Sequence, residues 1–102
     1  MAKFQKYVYV VDTDTASVID IANNDAKLKR RISVKKNPYP ENVAFVRVDT
    51  NTPILQINTD ELAGYYILKY ALDAAIVNRV SGKDAIERLV EAGKIELVDM
   101  VQ

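Results

Sequence analysis

The stretch from residue 60 to residue 80, DELAGYYILKYALDAAIVNRV, constrains the fold more than any other part of the chain. Thr59 is a typical helix N-cap, and two acidic residues follow it in the first turn, where the helix dipole favours negative charge. Only a narrow strip around Lys69 and Asp73 is strongly polar in the middle of this segment. We therefore predict a helix over residues 60–80 that is apolar around nearly its whole circumference.

Such a helix needs apolar partners on two sides. At about 100° per residue, one broad apolar face contains Ile67, Leu68, Ala71, Leu72, Ala75 and Ile76. Much of the opposite side is lined by Ala63, Tyr70, Ala74 and Val77. A sheet can cover one side, so the second must be covered by another helix or by another chain.

A second helix and a last strand follow. Ser81 with Asp84 three residues later resembles a capping box and opens DAIERLVEA, for which we predict a helix over 84–92. Gly93 fits the left-handed position that often ends a helix. The final segment, residues 94–102, alternates loosely and is predicted to be a strand.

The first half of the chain is typical of strands. KYVYVVD (6–12) is apolar on both alternating sets of side chains, which indicates an interior strand covered on both faces. A polar turn separates it from ASVIDIA (16–22), and the two segments predict a hairpin. Further strands are predicted over 42–49 and 54–58.

The segment AKLKRRISVKK (26–36) carries six Lys or Arg among the ten residues after Ala26. We predict a strand here, with Leu28, Arg30, Ile32, Val34 and Lys36 on one side, three of which are apolar. The cations on its other side are Lys27, Lys29, Arg31 and Lys35. This row is interpreted as a solvated face that protects a sheet edge, as a contact for nucleic acid, or as a contact for an acidic protein. No aromatic residue lies among the cations, which weakens the nucleic-acid interpretation.

These elements predict an α+β fold: a mostly antiparallel sheet of about six strands, with the two helices of the C-terminal half packed on one face. The length of 102 residues indicates a single domain. Within it, residues 1–58 are expected to be rich in strands, residues 59–93 to be helical and residues 94–102 to form the final strand.

Composition argues against several function classes. The 14 basic and 14 acidic residues cancel, so there is no basic field over the whole domain of the kind that general nucleic-acid binders carry. The chain contains no His and no Cys, which excludes imidazole bases, thiol nucleophiles and metal sites built from either residue. We therefore expect a protein that is not an enzyme and that uses no metal and no cofactor.

Four tyrosines are candidate interface residues. Tyr39 lies between Pro38 and Pro40, where a stiff loop tip could serve as a docking knob. No single helix face holds all three of the others, Tyr65, Tyr66 and Tyr70, so at least one should point away from the sheet. Tyrosine is enriched in protein interfaces, although burial in the core is its commoner role.

The stretch YVYVVDTDTASVIDIA (7–22) resembles the hairpin of a YVTN-type β-propeller blade. Such blades occur in series, and this chain contains one such stretch followed by helical segments. The resemblance therefore supports the hairpin and does not assign the chain to that family.

The leading functional prediction is a non-enzymatic structural or interaction subunit that self-associates or packs into a larger assembly, such as a virus or phage particle. Residues 1–59 carry a net charge of +3 and residues 60–102 a net charge of −3, which suits head-to-tail stacking. The alternative is a small nucleic-acid-binding regulator that uses the basic segment. The N-terminus lacks the apolar core of a signal peptide, so we expect a soluble protein that is cytoplasmic or virion-associated, with no membrane partner.

Overall fold

The computed structural model describes residues 4, 6–34, 38–49 and 60–98. Within them the elements are β1 (Val8–Asp12), β2 (Ser17–Ala22), α1 (Asp25–Val34), β3 (Val43–Val48), α2 (Asp60–Val77), α3 (Gly82–Glu91) and β4 (Ile95–Leu97). The strands form one antiparallel sheet in the order β2-β1-β3-β4. The predicted α+β class is therefore confirmed, whereas the predicted count of about six strands is wrong: the described residues form four. The strand predicted over 54–58 lies outside the described residues.

Strand β1 runs through the middle of the sheet, between β2 and β3. Its side chains from Val8 to Val11 are fully buried, because they pack into two apolar clusters on opposite faces of the sheet. Tyr9 and Val11 join the cluster formed with α2 and α3, while Val8 and Val10 join the cluster formed with α1. The prediction of an interior strand covered on both faces is confirmed.

The basic segment is where the structure departs most from the sequence prediction. Residues 25–34 form helix α1 rather than a strand. Asn24 precedes the first residue of the helix, and its side-chain oxygen accepts a hydrogen bond of 2.8 Å from the backbone N–H of Lys27, as an N-cap does. Leu28 and Ile32 are one helical turn apart and pack against Val8 and the other apolar residues on that face of β1. This unpredicted helix covers the sheet face opposite α2 and α3.

Helices α2 and α3 share the other face. Leu68 and Leu72 of α2 and Ile86 of α3 lie in one buried cluster with Val46 of β3. Helix α2 ends at Val77 rather than at residue 80, and the chain turns just after it, where Arg79 adopts a φ of 58°.

The end of the chain follows its sequence signals closely. The Ser81 hydroxyl accepts a hydrogen bond of 3.1 Å from the backbone N–H of Asp84, as a capping residue should. Helix α3 begins two residues earlier than predicted, at Gly82. Gly93 has a φ of 74°, which confirms the left-handed position predicted for it. Strand β4 pairs with β3 over Ile95–Leu97 only, and residues 99–102 lie outside the described residues.

The hairpin between β1 and β2 is closed by its own side chains. The Asp12 carboxylate accepts hydrogen bonds from the backbone N–H groups of Asp14, at 2.9 Å, and Thr15, at 3.2 Å. Asn42 donates to the Asp14 carboxylate at 2.9 Å, which ties the turn to the start of β3. The acidic residues of this turn therefore act as hydrogen-bond acceptors that hold a tight connection.

Candidate functional site

The side of α2 that points away from the sheet forms a continuous surface, which we call the α2 outer face. Its members are Leu62, Tyr66, Lys69, Tyr70, Asp73, Ile76 and Val77. They fall within one arc of the helix, and the buried residues Leu68 and Leu72 lie outside that arc. The same helix therefore presents one side to the core and another to solvent.

Four large apolar side chains of this face are exposed. The exposed fraction is 48% for Leu62, 50% for Tyr70, 54% for Ile76 and 80% for Val77. Single exposed apolar residues are common on protein surfaces, whereas several on one continuous face form an apolar patch of the kind found at interaction sites.

Aromatic rings form the middle of the α2 outer face. The rings of Tyr66 and Tyr70 are stacked, with centroids 5.8 Å apart and planes inclined by 27°. Tyr65 contacts Tyr66 edge to face at 5.3 Å and also packs against the core cluster. Of the three predicted interface tyrosines of this helix, Tyr70 is thus the most exposed and Tyr65 serves the core.

One ion pair lies within the α2 outer face. The Lys69 ammonium group donates a hydrogen bond of 2.9 Å to the Asp73 carboxylate, one turn further along the helix. This hydrogen bond to the carboxylate raises the pKa of Lys69, because it favours the charged form. The face therefore combines apolar ends with a central pair of opposite charges.

Helix α3 covers a flank of α2 and leaves the outer face open. A crevice of about 270 Å³ lies between the two helices and is lined on the α2 side by Ala71, Ala74 and Ala75. Among the large apolar residues of the outer face, none lines this crevice. In the part of the chain that the structure describes, the second side of α2 is therefore only partly covered.

Because residues 25–34 form a helix, the predicted cations do not all lie on one side. Lys27, Arg30 and Arg31 lie on one side of the helix and line a pocket of about 380 Å³ together with Val34. Lys29 is exposed on a different flank. Lys35 lies outside the described residues. The structure thus brings together two of the four predicted cations, Lys27 and Arg31, and adds Arg30 to them.

Two predicted site residues meet at the same carboxylate. Arg31 donates to Asp20 Oδ2 at 3.1 Å and to the carbonyl oxygen of Ile21 at 3.3 Å. The Tyr39 hydroxyl donates to the same Asp20 oxygen, and the Tyr39 ring packs edge to face on Phe45 with centroids 6.0 Å apart. Tyr39 therefore joins its loop to β2 and β3, in addition to any role in docking.

The Tyr39 contact makes stability depend on pH in the alkaline range. Desolvation, followed by the hydrogen bond to Asp20, raises the pKa of Tyr39 above its ordinary value of 10.0. Between the two pKa values the folded protein keeps the Tyr39 proton that the unfolded chain has released. The Tyr39 contact therefore makes its full contribution to the free energy of unfolding below the ordinary pKa, and this contribution is lost as pH rises through the folded pKa. We expect the free energy of unfolding to fall above about pH 10, and to fall less steeply in Tyr39→Phe. Urea unfolding at several alkaline pH values measures this, and equal slopes in both proteins would contradict it.

Another pocket lies where β3 begins and β4 ends, beside the first turns of α3. It has a volume of about 470 Å³, and its charged lining residues are Glu41, Lys83 and Glu87. Over the described ranges, no three acidic side chains are grouped closely enough to hold a metal ion. Among the described helices, none has the length and apolar character needed to cross a membrane.

Sequence reasoning missed some of the residues that these surfaces use. Arg30 was placed on the apolar side of a strand, and a period of 3.6 residues would have grouped it with Lys27. Ile76 was placed on the broad apolar face that contains Leu68, yet it is exposed. Leu62 was not singled out at all.

The chain was also compared with known proteins. Searches of protein families, of curated proteins and of solved structures give no match to it.

Proposed function

We propose that the protein is a non-enzymatic interaction subunit that self-associates or packs into a larger assembly through the α2 outer face. The observation that carries this proposal is the exposure of Leu62, Tyr70, Ile76 and Val77 on one continuous helical surface. A virus or phage particle is one kind of assembly that could contain such a subunit.

The composition of the α2 outer face supports a contact between proteins. Tyrosines form its middle, where rigid aromatic side chains provide contact area with little loss of conformational entropy. Burial of this face against a second protein removes apolar surface from water, and this is the main favourable term in association.

Two modes of self-association respond differently to salt. Head-to-tail stacking of the +3 and −3 halves is electrostatic and weakens as salt screens the charges. Contact through the α2 outer face is mainly apolar and persists at high salt. We assign self-association to contact through the α2 outer face.

Sedimentation equilibrium of the whole chain tests the proposed function. We expect the average mass to rise with protein concentration up to the high micromolar range, and to rise as much in high salt as in low salt. A strictly monomeric particle over this range would contradict the proposal, and association that disappears in high salt would contradict the assignment to α2.

The basic side of α1 favours a second candidate, a small nucleic-acid-binding regulator. Lys27 and Arg30 are exposed one turn apart on a helix of 10 residues, and a helix is the element that fits the major groove of DNA. Contacts of this kind go to phosphates and lose affinity as salt rises.

A charge-reversal pair tests this second candidate. We expect Lys27→Glu/Arg30→Glu to weaken the binding of a DNA or RNA duplex strongly at low salt, and each lost phosphate contact to lower the salt slope of the remaining binding by about one. Lys83→Glu/Lys94→Glu makes the same change in charge at two exposed positions away from α1 and serves as the control. No retardation of DNA or RNA by the unmodified protein at low salt would end this candidate.

A further inference from the structure

We infer that Asp20 and Arg31 close the outer edge of β2 and so prevent it from pairing with β2 of a second copy. Within the ranges that the structure describes, β2 is the last strand on its side of the sheet. The outer edge of such a strand presents backbone N–H and C=O groups to which another strand can bind. This edge is a different surface from the α2 outer face, so its closure goes beyond the proposed function.

The pairing register shows which backbone groups of β2 point outward. The backbone N–H of Thr13 donates to the carbonyl oxygen of Asn42 at 3.0 Å, so Thr13 directs its backbone groups toward β3. Every second residue of an antiparallel strand directs these groups to the same side, so those of Tyr9 also point to β3. Ile21 lies opposite Tyr9 on the other side of β1. The two residues therefore exchange no hydrogen bonds, and the N–H and C=O of Ile21 point away from β1.

Both outward groups of Ile21 are occupied by side chains of the same molecule. The Asp20 carboxylate accepts a hydrogen bond of 2.8 Å from the Ile21 N–H through Oδ1. Arg31 of α1 donates to the Ile21 carbonyl oxygen at 3.3 Å and to Asp20 Oδ2 at 3.1 Å. An incoming strand would have to break these contacts and remove two charged groups from water, which is unfavourable.

The neighbouring part of β2 is also unsuited to pairing. The register shifts between Val10 and Val11 of β1, which leaves Ile19 as an extra residue in β2. Bulges and charged side chains are two of the means by which natural proteins protect edge strands. Arg31 therefore protects the edge of another strand from its position in α1, instead of an edge of its own segment.

A charge-neutral double variant tests this closure of the edge. Asp20→Ala/Arg31→Ala removes both caps and leaves the net charge unchanged. Lys83→Ala/Glu87→Ala is the control, because it also removes one cation and one anion, at exposed positions of α3. Each pair is introduced into Val77→Asp, so that contact through the α2 outer face does not contribute, and Val77→Asp alone is the baseline.

We expect the Asp20→Ala/Arg31→Ala protein to dimerise with an association constant about tenfold or more above the baseline in sedimentation equilibrium, because the open edges form new backbone hydrogen bonds. In hydrogen exchange measured by NMR, the Ile21 amide should exchange rapidly in dilute solution and more slowly as the protein dimerises. The control should match the baseline. Circular dichroism checks the fold, and Arg31→Ala alone, which removes one cap, should give a smaller increase if the double variant does not fold.

A folded variant that associates no more strongly than the baseline would overturn the inference. Association that leaves exchange of the Ile21 amide unchanged would place the contact elsewhere and would also overturn it, as would an equal increase in the control. A baseline protein that still associates would count against the proposed contact through α2 only, because the comparison is made between variants that share Val77→Asp.

Discussion

Replacement of Val77 by Asp is expected to convert the associating protein into a folded monomer. The Val77 side chain is 80% exposed in one copy, so the substitution creates no cavity and leaves the core intact. In the associated state the same side chain is covered, and an aspartate there is buried without a partner. Because an aspartate buried without a partner is strongly unfavourable, we expect the dissociation constant to rise by about a hundredfold or more. Sedimentation equilibrium measures the constant, and circular dichroism checks the fold.

Val34→Asp is the matched control for this prediction. Val34 is also a highly exposed valine near the end of a helix, 72% exposed on α1, on the opposite side of the sheet from α2. We expect this variant to associate as the unmodified protein does. Equal association of all three proteins would show that the α2 outer face is not the contact, and equal loss in both variants would point to a general effect of charge.

Replacement of Gly64 by Ala is expected to destabilise the fold by about 1–3 kcal/mol, although alanine is the better helix former. Gly64 lies in α2 directly over the ring of Tyr9 in β1, and a Cβ atom at this position would lie 2.6 Å from Tyr9 Cζ. The Tyr9 side chain is fully buried, so it has little room to move away. Either α2 shifts off the sheet or the ring is displaced. Urea or thermal unfolding gives the free-energy change.

A double-mutant cycle separates this steric cause from other effects of the alanine. Tyr9→Phe removes the hydroxyl oxygen, which is the Tyr9 atom nearest to the added methyl group. We expect Gly64→Ala to cost less in the Tyr9→Phe background than in the unmodified protein. A neutral or stabilising Gly64→Ala in the unmodified background would mean that α2 does not approach β1 this closely.

The sequence predicted the parts of the fold whose patterns allow a single interpretation. In β1 both alternating sets of side chains are apolar, which suits only a strand covered on two faces, and this prediction is confirmed. Around α3, Ser81 and Gly93 gave local signals that tertiary contacts did not override.

The error at α1 has a specific cause. Leu28 and Ile32 are four residues apart, so they share a side in a strand and a face in a helix. The pattern of apolar residues therefore does not separate the two structures. The local signal that favours the helix is the cap residue Asn24, followed by Asp25 and a run of Lys and Arg. Lys and Arg are good helix formers.

The orientation of α2 could not be predicted from its own sequence. A helix that is apolar nearly all round gives no preferred side, and Ile76 was expected to lie with Leu68 and Leu72 although it is 54% exposed. Gly64 approaches Tyr9 closely on the side of α2 that meets the sheet, and this contact joins residues far apart in the chain. The side of α2 that faces the sheet determines which residues of the α2 outer face are exposed.

Hydroxyl-radical footprinting across a concentration series tests most directly whether the α2 outer face is covered by a second copy. We expect oxidation of Tyr70, Leu62 and Val77 to fall as the protein associates, while oxidation of the exposed Val34 on α1 stays constant. Oxidation of Tyr70 and Val77 that is as fast in the associated protein as in the dilute monomer would show that this face is not covered.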